Sequence, residues 1–234
     1  MDSEDASFAK SMTMESTSVK HGESIAGKKE SAQSLKPSLL IRTCRTNPYF
    51  DEVSDYWIEL WRKQLYIKSP DFADITPFTA HPGYRPLMMP KHELITTQRL
   101  YDICRERFNC WKYTKSSLDK VVVINTRDPR KGSYVGWFRD RFEADEELSN
   151  LSAVKLERMK IPGITLLERE VVEYDCFHRT NNHLDIDNMT ICSGSRYVCG
   201  DVPRACWDGK RFFIHWFFTD GMNPIMRSRQ IFTF

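Results

Sequence analysis

Three side chains of the types that ligate divalent metals alternate along one short segment of this 234-residue sequence. His183, Asp185 and Asp187 are each separated by a single residue. On an extended strand, alternate side chains share one face at about 7 Å spacing, while Leu184 and Ile186 would point into a core. One imidazole and two carboxylates suit iron, manganese or magnesium. The same alternation also predicts a half-buried strand with a polar outer face and no metal, so both interpretations stay open.

The segment is followed by a Ser-Gly-Ser-Arg stretch, residues 193–196. Backbone N–H groups of such a turn can cradle an anion, and the guanidinium of Arg196 would supply a fork of donors. No glycine-rich phosphate loop of the GxxxxGK[ST] or GxGxxG kind is present. The alternative is an ordinary turn, which the same residues favour.

Basic residues gather in the middle of the chain. Residues 99–131 hold nine lysines and arginines against four acidic residues, whereas residues 139–175 hold six basic and ten acidic residues. A basic face with aromatic side chains nearby is typical of nucleic-acid binding, and Arg127, Arg130 and Lys131 are the candidates for phosphate contacts. The aromatic candidates for base stacking are Trp111, Tyr113 and Tyr134. The alternative is a solvated surface without a ligand.

The composition is that of an ordinary globular protein. It is 41% hydrophobic and 28% charged, with a net charge of +2 that says little about partners. No run approaches the roughly 20 apolar residues that cross a bilayer, and the start MDSEDASF resembles no secretory signal. Seven cysteines without a CxxC pair favour reduced thiols. We therefore expect a cytoplasmic protein with no membrane contact.

Apolar residues at helical spacing predict three helices. The first lies within residues 51–68 and the second within residues 96–114, with Thr97 as its cap. The third follows Pro162-Gly163 and begins with a capping box formed by Thr165 and Glu168. The two tryptophans of the first helix are expected to be core residues rather than a binding surface.

The strand patterns predict an antiparallel sheet. Residues 120–140 read as a hairpin with a long loop, and Asp208-Gly209 marks a tight hairpin between VPRACW and KRFFIHWFF. A final strand is expected in MRSRQIFTF. The predicted fold is helices packed on a mainly antiparallel β-sheet, the α+β class.

Three segments make up the predicted domain organisation. Residues 1–36 are poor in aromatic and β-branched residues and are predicted to be a disordered tail. Residues 37–96 form a helical and proline-rich extension packed on the main domain, with a long loop at residues 69–93, where five prolines exclude a central strand. Residues 97–234 form the α+β domain.

Several ordered blocks of the second half carry a family resemblance, among them GSYVGWFRDRFEADEELSNLSA, GITLLERE, HLDIDNMTICSGSRY and VPRACWDGKRF. Over roughly residues 97–234 the chain resembles a family of uncharacterised hypothetical proteins common in candidate-phyla bacteria with reduced genomes. The resemblance implies a bacterial, intracellular protein and no particular activity. A Gly often follows the helix-ending Thr in that family, whereas this chain has Asn181, which also suits the left-handed conformation of a helix end.

Two functions from different classes remain. The first is a non-enzymatic module that binds a macromolecule, a protein in preference to a nucleic acid, because no catalytic constellation stands out from the sequence. The second is a metal-dependent hydrolase that uses His183, Asp185 and Asp187. No cofactor is expected apart from a divalent metal in the second case.

Overall fold

The computed structural model describes residues 47–233, and the predicted tail (1–36) and the start of the predicted extension (37–46) lie outside this part. The α-helices are α1 (Pro48–Glu59), α2 (Thr97–Arg107), α3 (Leu118–Val121), α4 (Ala153–Arg158) and α5 (Leu166–Thr180). The strands are β1 (Tyr84–Met89), β2 (Cys110–Lys112), β3 (Val122–Asn125), β4 (Tyr134–Arg139), β5 (Met189–Ile191), β6 (Ser195–Tyr197), β7 (Val202–Trp207), β8 (Phe212–Phe217) and β9 (Met226–Ser228). The α+β class is therefore confirmed.

The central sheet has five strands in the order β2-β8-β7-β5-β9. The pairs of β7 with β8 and of β5 with β7 are antiparallel, whereas β2 joins β8 and β9 joins β5 in parallel. Two smaller antiparallel sheets are formed by β1 with β4 and by β3 with β6. The mixed central sheet thus places β2 and β8 side by side at one edge.

Helix α5 supplies much of the main core, and its ends were predicted from local sequence. The Thr165 side chain accepts from the Glu168 N–H, and the Glu168 carboxylate accepts from the Thr165 N–H, so the predicted capping box is confirmed. The helix stops at Asn181, whose φ of 57° is the left-handed conformation expected there. The buried residues include charged side chains, which need partners inside the protein.

The two tryptophans of the first helix are core residues, as predicted. The helix begins with an Asn47 cap and continues beyond α1 through a π-helical turn, Leu60–Gln64. Trp57 and Trp61 are almost fully buried, and their indole N–H groups donate to the carbonyls of Pro86 and Met88. These bonds cover the edge of β1.

The prediction of a loop throughout residues 69–93 is wrong at its end, where β1 forms despite Pro86. A proline lacks the N–H that a central strand would need. Among the described strands, β1 pairs with β4 alone, and the Pro86 carbonyl faces α1 rather than β4, so the missing donor interrupts no ladder. Pro86 is therefore compatible with β1, because its side of the strand has no neighbouring strand within residues 47–233 that would need its N–H.

The prediction of a hairpin at residues 120–140 is also wrong in its pairing. Both strands form, but β3 pairs with β6 and β4 pairs with β1. A long connection leaves the partners of two strands to be chosen by packing rather than by the turn. The hairpin at Asp208-Gly209 is confirmed, although its register, with Trp207 opposite Phe212, makes the loop longer than the two-residue turn.

Residues of the predicted extension contact the predicted main domain, because β1 is paired along its length with β4. The boundary at residue 96 stays a prediction. Within residues 47–233, every helix is too short or too polar to traverse a bilayer.

Candidate anion-binding cleft

Two of the predicted anion-binding residues, Arg127 and Arg196, lie on one cleft of about 540 Å³. The cleft is bounded by the end of β3 and the two residues after it, by the segment from α4 to Gly163, and by the turn between β5 and β6 together with the start of β6. Its remaining charged lining residues are Lys160 and Glu157. Three cations and one carboxylate therefore face a cavity large enough for a small ligand.

The floor of the cleft is a close approach of two backbone segments at glycines. A Cβ at Gly163 would lie 1.7 Å from the Ser193 hydroxyl oxygen, and a Cβ at Gly194 would lie 2.6 Å from the Gly163 carbonyl oxygen. The Gly194 N–H donates to the Ile164 carbonyl at 3.0 Å. Only glycine allows this approach, which brings the turn at residues 193–194 against the start of α5, while Ser195 and Arg196 of the predicted turn already belong to β6.

The capping box of α5 holds Arg127 in place. The Arg127 guanidinium donates from Nε and Nη2 to the two carboxylate oxygens of Glu168 at 2.6 and 2.7 Å, and Nη2 also donates to the Gly163 carbonyl at 2.7 Å. Tyr134 donates its hydroxyl to the same fully buried carboxylate at 2.9 Å. Burial disfavours the charged guanidinium, but the Glu168 charge outweighs it and raises the pKa of Arg127. Arg127 is thus a fixed, permanently charged wall of the cleft.

Arg196 is fixed by its own turn. Its Nη1 donates to the carbonyls of Ser193 and Ser195 at 2.7 and 2.8 Å, and its Nη2 lies 3.3 Å from the Glu157 carboxylate. The Glu157 side chain is 75% exposed, so this ion pair is a weak surface interaction. A ligand anion can therefore compete with Glu157 for the Arg196 guanidinium.

The other two predicted anion-binding residues do not line this cleft. Arg130 forms a two-point bond with the Asp128 carboxylate, at 2.9 and 2.7 Å. Lys131 is exposed, and its N–H closes a turn on the Asp128 carbonyl at 3.0 Å. The structure therefore places Arg127 and Arg196 on one cleft and leaves Arg130 and Lys131 outside it, although Arg130 lines a smaller neighbouring cavity with Arg127.

The predicted strand face of His183, Asp185 and Asp187 does not form. Residues 183–187 are irregular, β5 begins only at Met189, and Asp185 has a left-handed φ of 57°. The predicted burial is wrong for Asp185, which is fully buried, and for Ile186, which is 56% exposed, whereas Leu184 is buried as predicted. Within the described part of the chain, no three His, Cys, Asp or Glu side chains are grouped so that they could hold a metal ion.

Asp185 belongs to a buried ion cluster instead. Its carboxylate accepts from Arg169 Nε at 3.0 Å and from Arg229 Nη2 at 2.6 Å, and the Thr190 hydroxyl donates to it at 2.5 Å. Arg169 also pairs with Glu173 at 2.7 Å, and all four charged side chains are at most 1% exposed. Burial raises the pKa of Asp185, but the two arginines outweigh burial and lower it. Asp185 is committed to these cations.

His183 and Asp187, the other two candidate metal ligands, lie apart from the Asp185 carboxylate. The His183 ring stacks on the Trp207 ring at 3.3 Å between centroids, and its Nδ1 lies 2.7 Å from the Glu173 carboxylate. Asp187 is exposed. The alternation seen in the sequence thus corresponds to three different environments.

Sequence reasoning missed Lys160 and Gly163 as parts of the cleft. In the sequence, Pro162-Gly163 marks only the point after which the third helix begins, and nothing local indicates that it meets the turn at residues 193–194. The signal available was the pair of glycines, because a glycine often marks a close backbone approach. Which backbones approach each other is decided by the fold.

Comparisons with protein-family models, with curated proteins and with solved structures found no match to this chain. The resemblance of residues 97–234 to an uncharacterised bacterial family therefore stays a prediction.

Proposed function

We propose that the chain is a non-enzymatic binding module that takes an oxyanion, such as a phosphate group of a macromolecular partner, in the cleft. The observation that carries the proposal is the convergence of Arg127 and Arg196, which are far apart in sequence, on one cavity with Lys160. Guanidinium groups bind phosphate and carboxylate oxygens through paired N–H donors.

The two arginines are held before any ligand arrives. Arg127 is fixed by Glu168, and Arg196 is fixed by two backbone carbonyls. A rigid donor loses little conformational entropy on binding, which favours affinity. Because Glu168 neutralises much of the Arg127 charge, Arg196 and Lys160 are expected to dominate attraction of the anion.

A metal-dependent hydrolase at residues 183–187 has less support. Asp185 would have to leave two buried arginines in order to bind a metal, and this would leave their charges uncompensated. The binding module requires no such rearrangement.

The test measures retention of the full chain on a heparin column under a salt gradient, with two substitutions that each remove one positive charge. Arg196→Gln removes a cation of the cleft, and Arg62→Gln removes an exposed cation from the first helix. We expect Arg196→Gln to elute at lower salt than Arg62→Gln, because it loses a contact to the anionic groups of heparin. Each lost contact of this kind lowers the slope of log affinity against log salt by about 0.7 to 0.9. Equal retention of the two variants contradicts the proposal.

Inorganic pyrophosphate provides a second measurement, because it is small enough to enter the cleft. Titration calorimetry should detect its binding to the unmodified chain and to Arg62→Gln, with weaker binding to a Lys160→Gln and Arg196→Gln double variant. Arg127 is left unchanged in these variants, since its removal would leave the Glu168 carboxylate without its cation.

A further inference from the structure

Four aromatic rings form a continuous surface at the β2 and β8 edge of the central sheet. We call this surface the aromatic face. Its members are Trp111, Tyr113, Phe213 and His215. Trp111 is directly opposite Phe213 in the parallel pair of β2 and β8, and Tyr113 continues that pairing through a bond from its N–H to the Ile214 carbonyl at 3.1 Å.

The rings of Trp111, Phe213 and His215 lie on the side of the sheet opposite the main core, whereas Tyr113 also packs against that core through Tyr197. Phe212 and Ile214 are fully buried, so the alternating residues Phe213 and His215 project from the opposite side of the sheet. All four rings of the aromatic face are partly exposed to solvent. A smaller apolar cluster covers another part of this side with Ala153 of α4, and it does not include the aromatic face.

Three of the rings are stacked rather than packed edge to face. The ring centroids of Trp111 and Phe213 are 4.8 Å apart with planes 8° from parallel, and those of Phe213 and His215 are 5.6 Å apart, also 8° from parallel. The rings of Phe108 and Phe212, by contrast, are T-shaped, with planes 89° apart. Parallel, partly exposed rings present π surfaces on which a further flat ring can stack.

Cations flank the stack. The Arg211 guanidinium lies 5.1 Å from the Trp111 ring centroid, and its only carboxylate partner in the described part of the chain is the half-exposed Asp208. Arg204 lies opposite His215 in the pairing of β7 with β8. Within residues 47–233, Arg204 forms no ion pair, and its buried Nε has no hydrogen-bond partner.

The environment of Arg204 is costly without an anion. Its guanidinium lies over the Phe217 ring at 5.6 Å, and Nη1 contacts the Met189 sulfur at 3.4 Å. Burial lowers the pKa of Arg204, and no neighbouring carboxylate compensates. A half-buried cation beside exposed stacked rings favours a ligand that is both flat and negatively charged.

We infer that the aromatic face binds the bases of single-stranded nucleic acid, with backbone phosphates at Arg204 and Arg211. Bases of any sequence stack on aromatic rings, whereas the bases of a duplex are covered by their neighbours. The inference goes beyond the proposed function and uses no residue of the anion-binding cleft, so it stands or fails independently.

The test is fluorescence anisotropy of a labelled oligothymidylate of about 12 nucleotides, a length typical of such sites, titrated with the full chain. Phe213→Leu removes a ring of the aromatic face and keeps an apolar side chain. Phe218→Leu is the matched control, because Phe218 is 57% exposed and lies outside the aromatic face. We expect Phe213→Leu to weaken binding about 5- to 150-fold, the effect of losing one stacked base, and Phe218→Leu to change it little. Arg204→Gln should lower the slope of log affinity against log salt by about 0.7.

Three results would overturn the inference: no binding of the oligothymidylate to the unmodified chain, equal affinities of the two leucine variants, or equally tight binding of a duplex. The first of these would favour a protein partner for the aromatic face. If thermal melting shows that Phe213→Leu is unfolded, Trp111→Leu on the edge strand β2 takes its place with the same expectation. Full oligothymidylate affinity in Arg196→Gln, together with loss in Phe213→Leu, supports the aromatic face even where the heparin test of the cleft fails.

Discussion

Replacing Asp185 by asparagine distinguishes a structural ion cluster from a metal ligand. In the native protein two buried cations, Arg169 and Arg229, are balanced by two buried carboxylates, Asp185 and Glu173. Asp185→Asn keeps the size of the side chain and removes one negative charge. One cation of the cluster is then left without a counter-charge.

The expected cost follows from that imbalance. Removing one partner of a buried ion pair destabilises a protein by about 3–5 kcal/mol, because the other charge stays buried and uncompensated. For a chain of this size, about 1 kcal/mol shifts the melting temperature by about 2–4 °C. We therefore expect Asp185→Asn to lower the melting temperature by about 6–20 °C, a large part of the stability of an ordinary domain.

The assay is thermal melting followed by circular dichroism, with Asp187→Asn as the matched control. Asp187 is exposed two residues away, so its substitution should change the free energy of unfolding by no more than about 0.5 kcal/mol. The same melts are repeated with manganese. A metal site at these residues requires that manganese raise the melting temperature and that both variants reduce the rise.

The ion-cluster interpretation is refuted by either of two results. One is similar melting temperatures for Asp185→Asn and Asp187→Asn. The other is a manganese-dependent stabilisation that disappears in both variants, which would restore the predicted metal site.

Two further predictions concern the core and the floor of the cleft. Burial raises the pKa of Glu170 in the folded protein. In the unfolded chain this carboxyl loses its proton at a pH of about 4.3, whereas in the folded protein it keeps the proton to higher pH. The free energy of unfolding therefore falls as pH rises from that value towards the folded pKa. Relative to Glu170→Gln, which cannot ionise, the unmodified chain should lose about 1.4 kcal/mol per pH unit in urea titrations over that range, and parallel pH profiles would contradict this expectation. Gly194→Ala should destabilise the protein by about 1–3 kcal/mol in the same titrations, because the added Cβ would lie 2.6 Å from the Gly163 carbonyl oxygen. Gly132→Ala is the control and should cost less, because the nearest atom to its Cβ would be a side-chain oxygen at 3.4 Å. Equal costs for the two variants would refute the close approach.

The anion-binding candidates show how far a local signal reaches. The sequence predicts Arg196 from the Ser-Gly-Ser stretch before it, and its guanidinium is indeed held by carbonyls of those serines. It predicts Arg127 only as part of a basic segment, and the place of Arg127 in the cleft depends on Glu168, which is 41 residues away. Arg130 belonged to the same basic segment but bonds to its neighbour Asp128. Charge density in a sequence therefore identifies cations without telling which of them share a site.

The sequence by itself determined the features that depend on residues a few positions apart. These are the α+β class, the apolar spacing of the first helices, the capping box of α5, the helix end at Asn181, and the pairing of β7 with β8. Each depends on hydrogen bonds or on alternation within a single element or across one turn, so its physical cause lies in residues that are close together in the sequence.

Only the tertiary structure decided which distant groups meet. The partners of β3 and β4, the approach of Gly163 to Gly194, and the stacking of Trp111 on Phe213 join segments that no local pattern connects. Asp185 is the clearest case, because its partners Arg169 and Arg229 are 16 and 44 residues away. A buried carboxylate that stays ionised, as Asp185 does, needs cations from elsewhere in the fold, and this requirement outweighed the alternation that predicted an exposed metal-binding face.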